Sequence, residues 1–476
     1  MSNINHLGGF AMFRIQSKIT PSFWESILLT LSIISIMAIC IIKFDTVPHM
    51  PILLAILLLI TYGLIKKVPY KQLEDGLVEG SKAGLGAIFI FFFIGILISS
   101  WMIGGTIPTL IYLGFQFISP HFFYAIVFII TCIIGLSIGS SLTTVATVGV
   151  AFIGMAGAMD ISLAITAGAI VSGAFFGDKM SPLSDTTNLA SAIVRVDLFE
   201  HIKNMGWTTI PAFVISLIGY GMLSPNKDFQ NLEQISSFQE GLLQTGMIHW
   251  YTLLPLVLLI VLSIKKVPAI LSLALTSIAG IVVSYFHQYL TAGEILNILF
   301  TGYSSQTGIE VVDSLLSRGG MNSMMFTIGL VLLALSMGGL LFTLGIVQSL
   351  LLKVESSLKT VGSVISAAAF TAIGVNTLIG EQYLSILLTG EAFQATFQKV
   401  GLANKNLARV MEDAGTVVNP LVPWSVCGIF ITNVLAVSTL DYLPVAFFCL
   451  LSPMLTIIFG ISGKTLTYIK DNPLQD

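Results

Sequence analysis

Between Lys82 and Asp160 the chain has no Asp, Glu, Lys or Arg, and across all 476 residues only 9% are charged, against about 25% in soluble domains. That shortage excludes a water-soluble globule. With 55% hydrophobic residues the chain reads as a polytopic membrane protein, and the uncharged stretch alone is room for about three helices of ~20 residues. Cysteine is scarce as well. Cys40, Cys132, Cys427 and Cys449 lie in apolar runs and none has a partner at CxxC spacing, so no disulfide framework or zinc site is expected and they read as small buried hydrophobes. No basic run or aromatic-studded basic patch occurs, and a net charge of −3 leaves no footprint for nucleic acid. HExxH, paired His and Cys motifs and the nucleotide-binding P-loop are also missing, so neither an intramembrane enzyme nor a primary pump is expected. His49, His121, His201, His249 and His287 stand apart, mostly near segment ends, and read as interfacial.

What is present is a series of apolar segments near 23–42, 51–65, 83–104, 122–139, 141–158, 162–177 and 204–223, and a second set near 250–264, 269–286, 323–345, 361–379, 382–397, 414–434 and 443–462. The first segment has no small-residue cleavage site after it and reads as a retained helix. Several segments are short or rich in Gly, Ser and Thr, so about 10 to 14 spans are expected, some of them re-entrant or half helices. If Arg14 and Lys18 are cytoplasmic and each segment crosses once, only Lys43, Lys227 and Arg318 fall outside, with Lys179 set aside as buried. That bias places both termini in the cytoplasm. It also makes the two halves run in opposite directions. Gly104–Ile111 resembles Leu344–Leu351, and Ser181-Pro-Leu-Ser-Asp185 resembles Asn419-Pro-Leu-Val-Pro423. The expected fold is therefore an all-α polytopic membrane protein of two inverted-topology repeats with broken or re-entrant segments. Its expected parts are a cytoplasmic segment 1–20, a first repeat 21–224, a periplasmic linker 225–248, a second repeat 249–463 and a cytoplasmic tail 464–476.

The run Phe176-Gly-Asp-Lys-Met-Ser-Pro-Leu-Ser-Asp-Thr-Thr-Asn-Leu-Ala190 crowds charge and hydroxyls into this apolar chain. A charge near the bilayer centre costs about 3 kcal/mol on insertion scales, so it persists where it pairs, faces water or binds a substrate. Gly177 and Pro182 break helix, and broken backbone at membrane depth is tolerated only in protein or beside a cavity. The second half has its own cluster in Glu412, Asp413, Thr416, Asn419, Pro420, Pro423, Trp424 and Ser425, preceded by Asn376, Thr377 and Glu381. A hard cation such as Na⁺ takes several oxygen ligands, which freed carbonyls and Ser, Thr, Asn and Asp side chains supply. Desolvation raises a carboxylate's pKa and a nearby cation lowers it, so one carboxylate can exchange a metal ion for a proton. The candidate ion- and proton-binding residues are Asp178, Ser181, Ser184, Asp185, Thr186, Thr187, Asn188, Asn376, Glu381, Asp413 and Asn419, with Na⁺ placed at Asp178 and Asp185. Lys179 either pairs with an Asp in the empty site or snorkels to the cytoplasmic face. Ser140, Ser141, Thr143, Thr144 and Thr147 either line the site or bond the preceding turn. Glu381 and Asp413 are open to a second reading, as solvated residues at membrane ends. A channel fits less well, since it would more naturally repeat one selectivity motif.

The run Gly177 to Asn188 resembles the signature of the NhaC family of bacterial Na⁺/H⁺ antiporters, and the Glu412-Asp413 and Asn419-Pro-Leu421 segment is similar to that family's later polar motif. The resemblance covers essentially the whole chain. It implies a multi-pass cell-membrane antiporter of the broader ion-transporter superfamily that exports Na⁺ in exchange for protons. No cofactor is implied beyond the transported Na⁺ and H⁺, with the lipid bilayer as the surroundings and room for a homo-oligomer. Members similar to malate/lactate antiporters share the Gly-Asp-Lys-Met-Ser-Pro core, so a small carboxylate as co-substrate is the alternative.

Overall fold

The computed structural model describes residues 17–82, 84–117, 120–225, 232–309, 312–313, 316–355 and 360–469. Arg14, Lys227, Lys359 and Lys470, which enter the charge argument, lie outside the described residues, as do parts of the expected terminal segments and linker. Among the described residues the chain is helical, with one isolated antiparallel bridge between Leu402 and Tyr468 and no strand. Seven helices among the described residues are long and apolar enough to cross a membrane, or up to nine if two bent pairs each count as one span. The difference from the larger expected number lies in five apolar helices of 10–17 residues, among them His49–Ile65 and Phe123–Ile138.

The helix Leu198–Leu223 shows why such a chain needs lipid. It exposes Trp207, Ile210, Val214, Ile218 and Met222 and buries His201, Asn204, Thr208, Thr209 and Ser216. With hydrocarbon outside and polar groups inside, the usual amphipathic order is reversed, and polar side chains find partners only within the protein. This is a multi-pass membrane protein.

Two compact units make up the chain. One takes the described parts of Met1–Ile88 and Ile328–Ser357 with Thr377–Gly380; the other takes Phe89–Thr327, Leu358–Asn376 and Glu381–Asp476. In the first, the polar helix Tyr70–Lys82 lies against Met325–Thr343 through small residues. A Cβ on Gly80 would meet the Leu335 carbonyl at 2.2 Å, and one on Gly339 would meet the Gly76 carbonyl at 2.1 Å. Without a hydrophobic drive between helices in lipid, such close backbone approach supplies the packing energy.

The second unit holds every candidate site residue. Its helix Leu163–Met180 uses the same device. Gly173 and Gly177, four apart on one face, pack on Phe123–Ile138, where added Cβ atoms would come 1.9 Å from Thr131 Oγ1 and 2.4 Å from the Leu136 nitrogen. This contact seats the helix end that carries Asp178 and Lys179.

Helix starts and stops recur at near-constant spacing along the chain. Leu85–Ile103 and Met325–Thr343 are each 19 residues long. Each is followed by a glycine in the left-handed region, Gly105 at φ 74° and Gly345 at φ 66°, and then by a short helix, Thr106–Phe117 or Ile346–Glu355. Gly139 and Gly380 repeat the left-handed turn at φ 70° and 79°, each followed by a capping side chain, Ser140 or Glu381. Ser184 and Ser425 cap the helices that restart after the two breaks. Asp197 and Ser438 cap those that come next. This spacing sets Pro182 against Pro423 and Asp178 against Asn419, three residues away from the register that the Pro-Leu resemblance suggests. Capping residues fix the register because each satisfies orphan N–H groups at one particular helix start.

Candidate functional site

The helix Leu163–Met180 stops because Pro182 lacks the N–H to continue it and pushes Ser181 into extended backbone, at φ −85° and ψ 131°. The chain restarts at Asp185–Ile193, with Ser184 as its cap. A break of this kind strands carbonyls, and the polar run supplies their donors. Thr187 Oγ1 donates to the Lys179 carbonyl at 3.1 Å, and Asn188 Nδ2 donates to the carbonyls of Pro182 at 3.1 Å and Ser184 at 2.7 Å. Ser181 Oγ donates to the Leu136 carbonyl at 2.8 Å, tying the break to the neighbouring helix. Ser184 and Thr186 hydroxyls lie 3.0 Å apart. Ser181, Thr187 and Asn188 therefore hold the broken backbone, leaving only their oxygen lone pairs toward any ion.

Asp178 is 5% exposed, and its Oδ2 accepts from Ser141 Oγ at 2.8 Å. It lines a cavity of about 300 Å³ together with Asp185, Ser140, Ser141, Thr143, Thr186, Asn188 and Tyr383. Asp185 reaches the same space from another position. It is exposed, not buried, and occupies the first turn of its helix, where a carboxylate also offsets the helix dipole. The hydroxyl run of the first half divides: Ser140, Ser141 and Thr143 line the cavity, whereas Thr144 and Thr147 bond the preceding turn, to Ser140 and Thr143 carbonyls at 2.8 Å each.

One residue further on, Lys179 faces away from this space. It is fully buried and forms a salt bridge with Asp413, also fully buried, so the snorkelling alternative does not hold. Asp413 accepts in addition from Thr208 Oγ1 at 3.1 Å and Thr456 Oγ1 at 2.7 Å. The Phe448 ring lies 5.6 Å from Lys179 Nζ, and Phe448, Phe176, Phe213 and Phe128 form a chain of ring contacts that walls the pair from lipid. With one ammonium and two hydroxyls on its carboxylate, Asp413 is satisfied from within the protein. It is not a solvated residue at a membrane end.

The second break is held by amides. Asn376, fully buried, donates through Nδ2 to the Gly415 carbonyl at 2.6 Å and accepts on Oδ1 from Asn419 Nδ2 at 2.8 Å. Asn419 Oδ1 accepts from the Cys427 N–H at 3.0 Å, reaching the helix Val426–Leu435. Ser425 Oγ and Tyr442 Oη donate to the Asn419 and Pro420 carbonyls at 2.5 and 2.6 Å. Asn376 and Asn419 thus come together, beside the wide turn Glu412–Thr416. Glu381 caps the helix Gln382–Lys399 by accepting from the Leu384 N–H at 2.8 Å. The structure accordingly separates three groups: Asp178, Asp185, Thr186 and Asn188 at the cavity; Lys179 and Asp413 behind it; Asn376 and Asn419 at the second break. The partners Ser141, Thr208 and Thr456 were legible from sequence only as hydroxyls in apolar segments.

Helices with their polar faces turned inward, two interrupted segments and a dry ion pair joining them define a polytopic carrier-type membrane protein. Comparison with known proteins makes the assignment particular. Residues 173–464 match the model of the Na⁺/H⁺ antiporter family. The chain is 41% identical to the Na⁺/H⁺ antiporter NhaC of Alkalihalophilus pseudofirmus over 94% of its own length and 97% of the relative's. It is 37% identical to the NhaC antiporter of Bacillus subtilis over 94% and 99%, and 32% identical to the malate-2H⁺/Na⁺-lactate antiporter of Bacillus subtilis over 96% and 98%. The chain belongs to the Na⁺/H⁺ antiporter family.

Proposed function

We propose that this protein exchanges Na⁺ for H⁺ across the bacterial cell membrane by alternating access, as a transporter and not an enzyme, with Asp178 and Asp185 as the carboxylates that meet the ion in the cavity. The observation that carries this reading is Asp178 itself, a nearly buried carboxylate that accepts from Ser141 at the wall of a polar cavity beside a helix break. Such a group attracts a cation when charged and holds a proton when the cation leaves, which couples the two flows without covalent chemistry. The hydroxyls of Ser141, Thr143 and Thr186 line the same cavity.

Purified protein in acid-loaded proteoliposomes tests it. Added Na⁺ should dissipate the pH gradient saturably, while K⁺, malate and lactate, added in turn without Na⁺, should not. A gradient that collapses only when malate and lactate are supplied together with Na⁺ would move the reading to the organic-anion relative's activity. Current without a coupled counter-ion would make the chain a channel.

The recurrence of helix starts and stops supports two repeats, and the basic-residue bias supports their opposite orientation, with both termini cytoplasmic and the segment around 225–248 periplasmic. In a background without the four native cysteines, Ser236→Cys and Ser462→Cys should react with an impermeant thiol reagent from opposite sides of the membrane. Labelling of both from outside intact cells would refute the arrangement.

A further inference from the structure

Unlike Asp178, Glu381 and Asp413, Glu412 has no hydrogen bond of normal geometry on its carboxylate. It is fully buried, and neither Oε1 nor Oε2 is reached by such a bond among the described residues. Thr416 lies four residues on, across the wide turn Glu412–Thr416, and its hydroxyl, likewise buried, has only this carboxylate to turn to. An unpartnered oxygen, Thr389 Oγ1, belongs to the helix Gln382–Lys399, which packs on this turn. Added Cβ atoms at Gly415 and Gly390 would touch Ser385 Oγ at 3.2 Å and Met411 Sδ at 2.8 Å, which places Thr389 on the packed face. Buried polar groups are normally satisfied, and a buried carboxylate without a counter-charge is the costliest exception.

The neighbouring cation does not serve. Lys179 is committed to Asp413, which also accepts from Thr208 and Thr456. Nor does the fold ask for polarity here. By the spacing that sets Ser184 against Ser425, Glu412 and Thr416 fall where the first half has Val171 and Phe175, both fully buried in the matching helix. What remains is a set made only of oxygens, one carboxylate and two hydroxyls, closed to solvent and lying beyond the residues that line the Asp178 cavity. A hard monovalent cation fits that chemistry, since it takes oxygen ligands and brings the missing charge.

We infer that Glu412, with the hydroxyls of Thr416 and Thr389, forms a second Na⁺ site, distinct from the Asp178 cavity. The inference rests on the exchange reading above and deepens it: two ions are held, one at the cavity and one enclosed in the second-half turn. An enclosed site of this kind releases its ion only when the broken segment moves.

Equilibrium dialysis of purified, detergent-solubilised protein against radioactive Na⁺ reads the number of ions directly. Wild type should bind two, Glu412→Gln one, and Asp178→Asn one, with the losses at different positions, so that the double variant binds none. Thr416→Val and Thr389→Val, which leave the carboxylate in place and guard against a folding failure of Glu412→Gln, should each weaken one of the two ions by roughly tenfold. Unchanged Na⁺ stoichiometry and affinity in Glu412→Gln and Thr416→Val overturns the second site. Loss of proton coupling in Glu412→Gln with Na⁺ binding intact also overturns it, by giving the carboxylate a proton in place of a metal ion. A wild type that binds one ion, lost in Asp178→Asn, refutes this inference and leaves the exchange reading standing; a wild type that binds no Na⁺ refutes both.

Discussion

Replacing Lys179 by Met should destabilise the protein by about 3–5 kcal/mol, the range for removing one partner of a buried ion pair. The expected cost follows from what is left behind. Asp413 is fully buried, and after the substitution its carboxylate keeps only the two threonine hydroxyls of Thr208 and Thr456. Two neutral donors do not replace an ammonium inside the aromatic wall of Phe448 and Phe176. Adding Asp413→Asn removes the stranded charge, and the amide oxygen can still accept from one threonine. Most of the lost stability should return in the double variant, because an ion pair exchanged for neutral groups of similar size is often close to neutral. Thermal unfolding in detergent of wild type, both single variants and the double variant forms the cycle that isolates the pair. Equal midpoints for wild type and Lys179→Met would mean that Lys179 and Asp413 are not joined as described.

That pair also marks where sequence reading ends. Hydropathy located nearly every long apolar helix, because lipid demands about 20 apolar residues wherever the chain crosses. It overlooked Tyr70–Lys82, whose charged face hides a packed stripe of Leu73, Gly76 and Gly80. Pro182 and Gly177 pointed to the break after Met180, and the helix does end there. The same proline strands carbonyls, and Thr187 and Asn188, expected as ion ligands, direct their donors to them, while Ser181 donates to the Leu136 carbonyl of the neighbouring helix. The sequence suggests one ion between Asp178 and Asp185, but not how the two carboxylates approach it. The break turns the chain, so a residue seven further on opens onto the cavity from an exposed helix start. Lys179 and Asp413 lie far apart along the chain, and no local pattern could join them. The seating of that helix was legible in principle from Gly173 and Gly177, whose four-residue spacing is the signature of close helix contact in membranes.

Asp178→Asn should abolish Na⁺-driven proton exchange while leaving the protein folded and inserted. Asn has the same shape, and its side-chain oxygen can still accept from Ser141 Oγ, now 2.8 Å from the carboxylate, so the packing set by Gly173 and Gly177 is undisturbed. What disappears is the charge, and with it both exchangeable states of the group. A hydrogen bond or ligand contact to a charged group is worth about 1.5–3 kcal/mol, so the ion's affinity should fall by roughly ten- to a hundredfold from that contact alone. The proton-carrying step should fail outright, since an amide does not titrate in this range. Asp185→Asn removes a carboxylate at an exposed helix start, so a weaker Na⁺ affinity with measurable residual exchange is expected. Ser141→Ala, which keeps the Asp178 carboxylate but strips the hydrogen bond from Ser141, should fall between wild type and Asp178→Asn. The three variants, reconstituted at equal density and assayed for Na⁺-dependent collapse of an imposed pH gradient, give the order directly. Exchange at the wild-type rate in both Asp178→Asn and Asp185→Asn would rule out the carboxylate mechanism at this cavity.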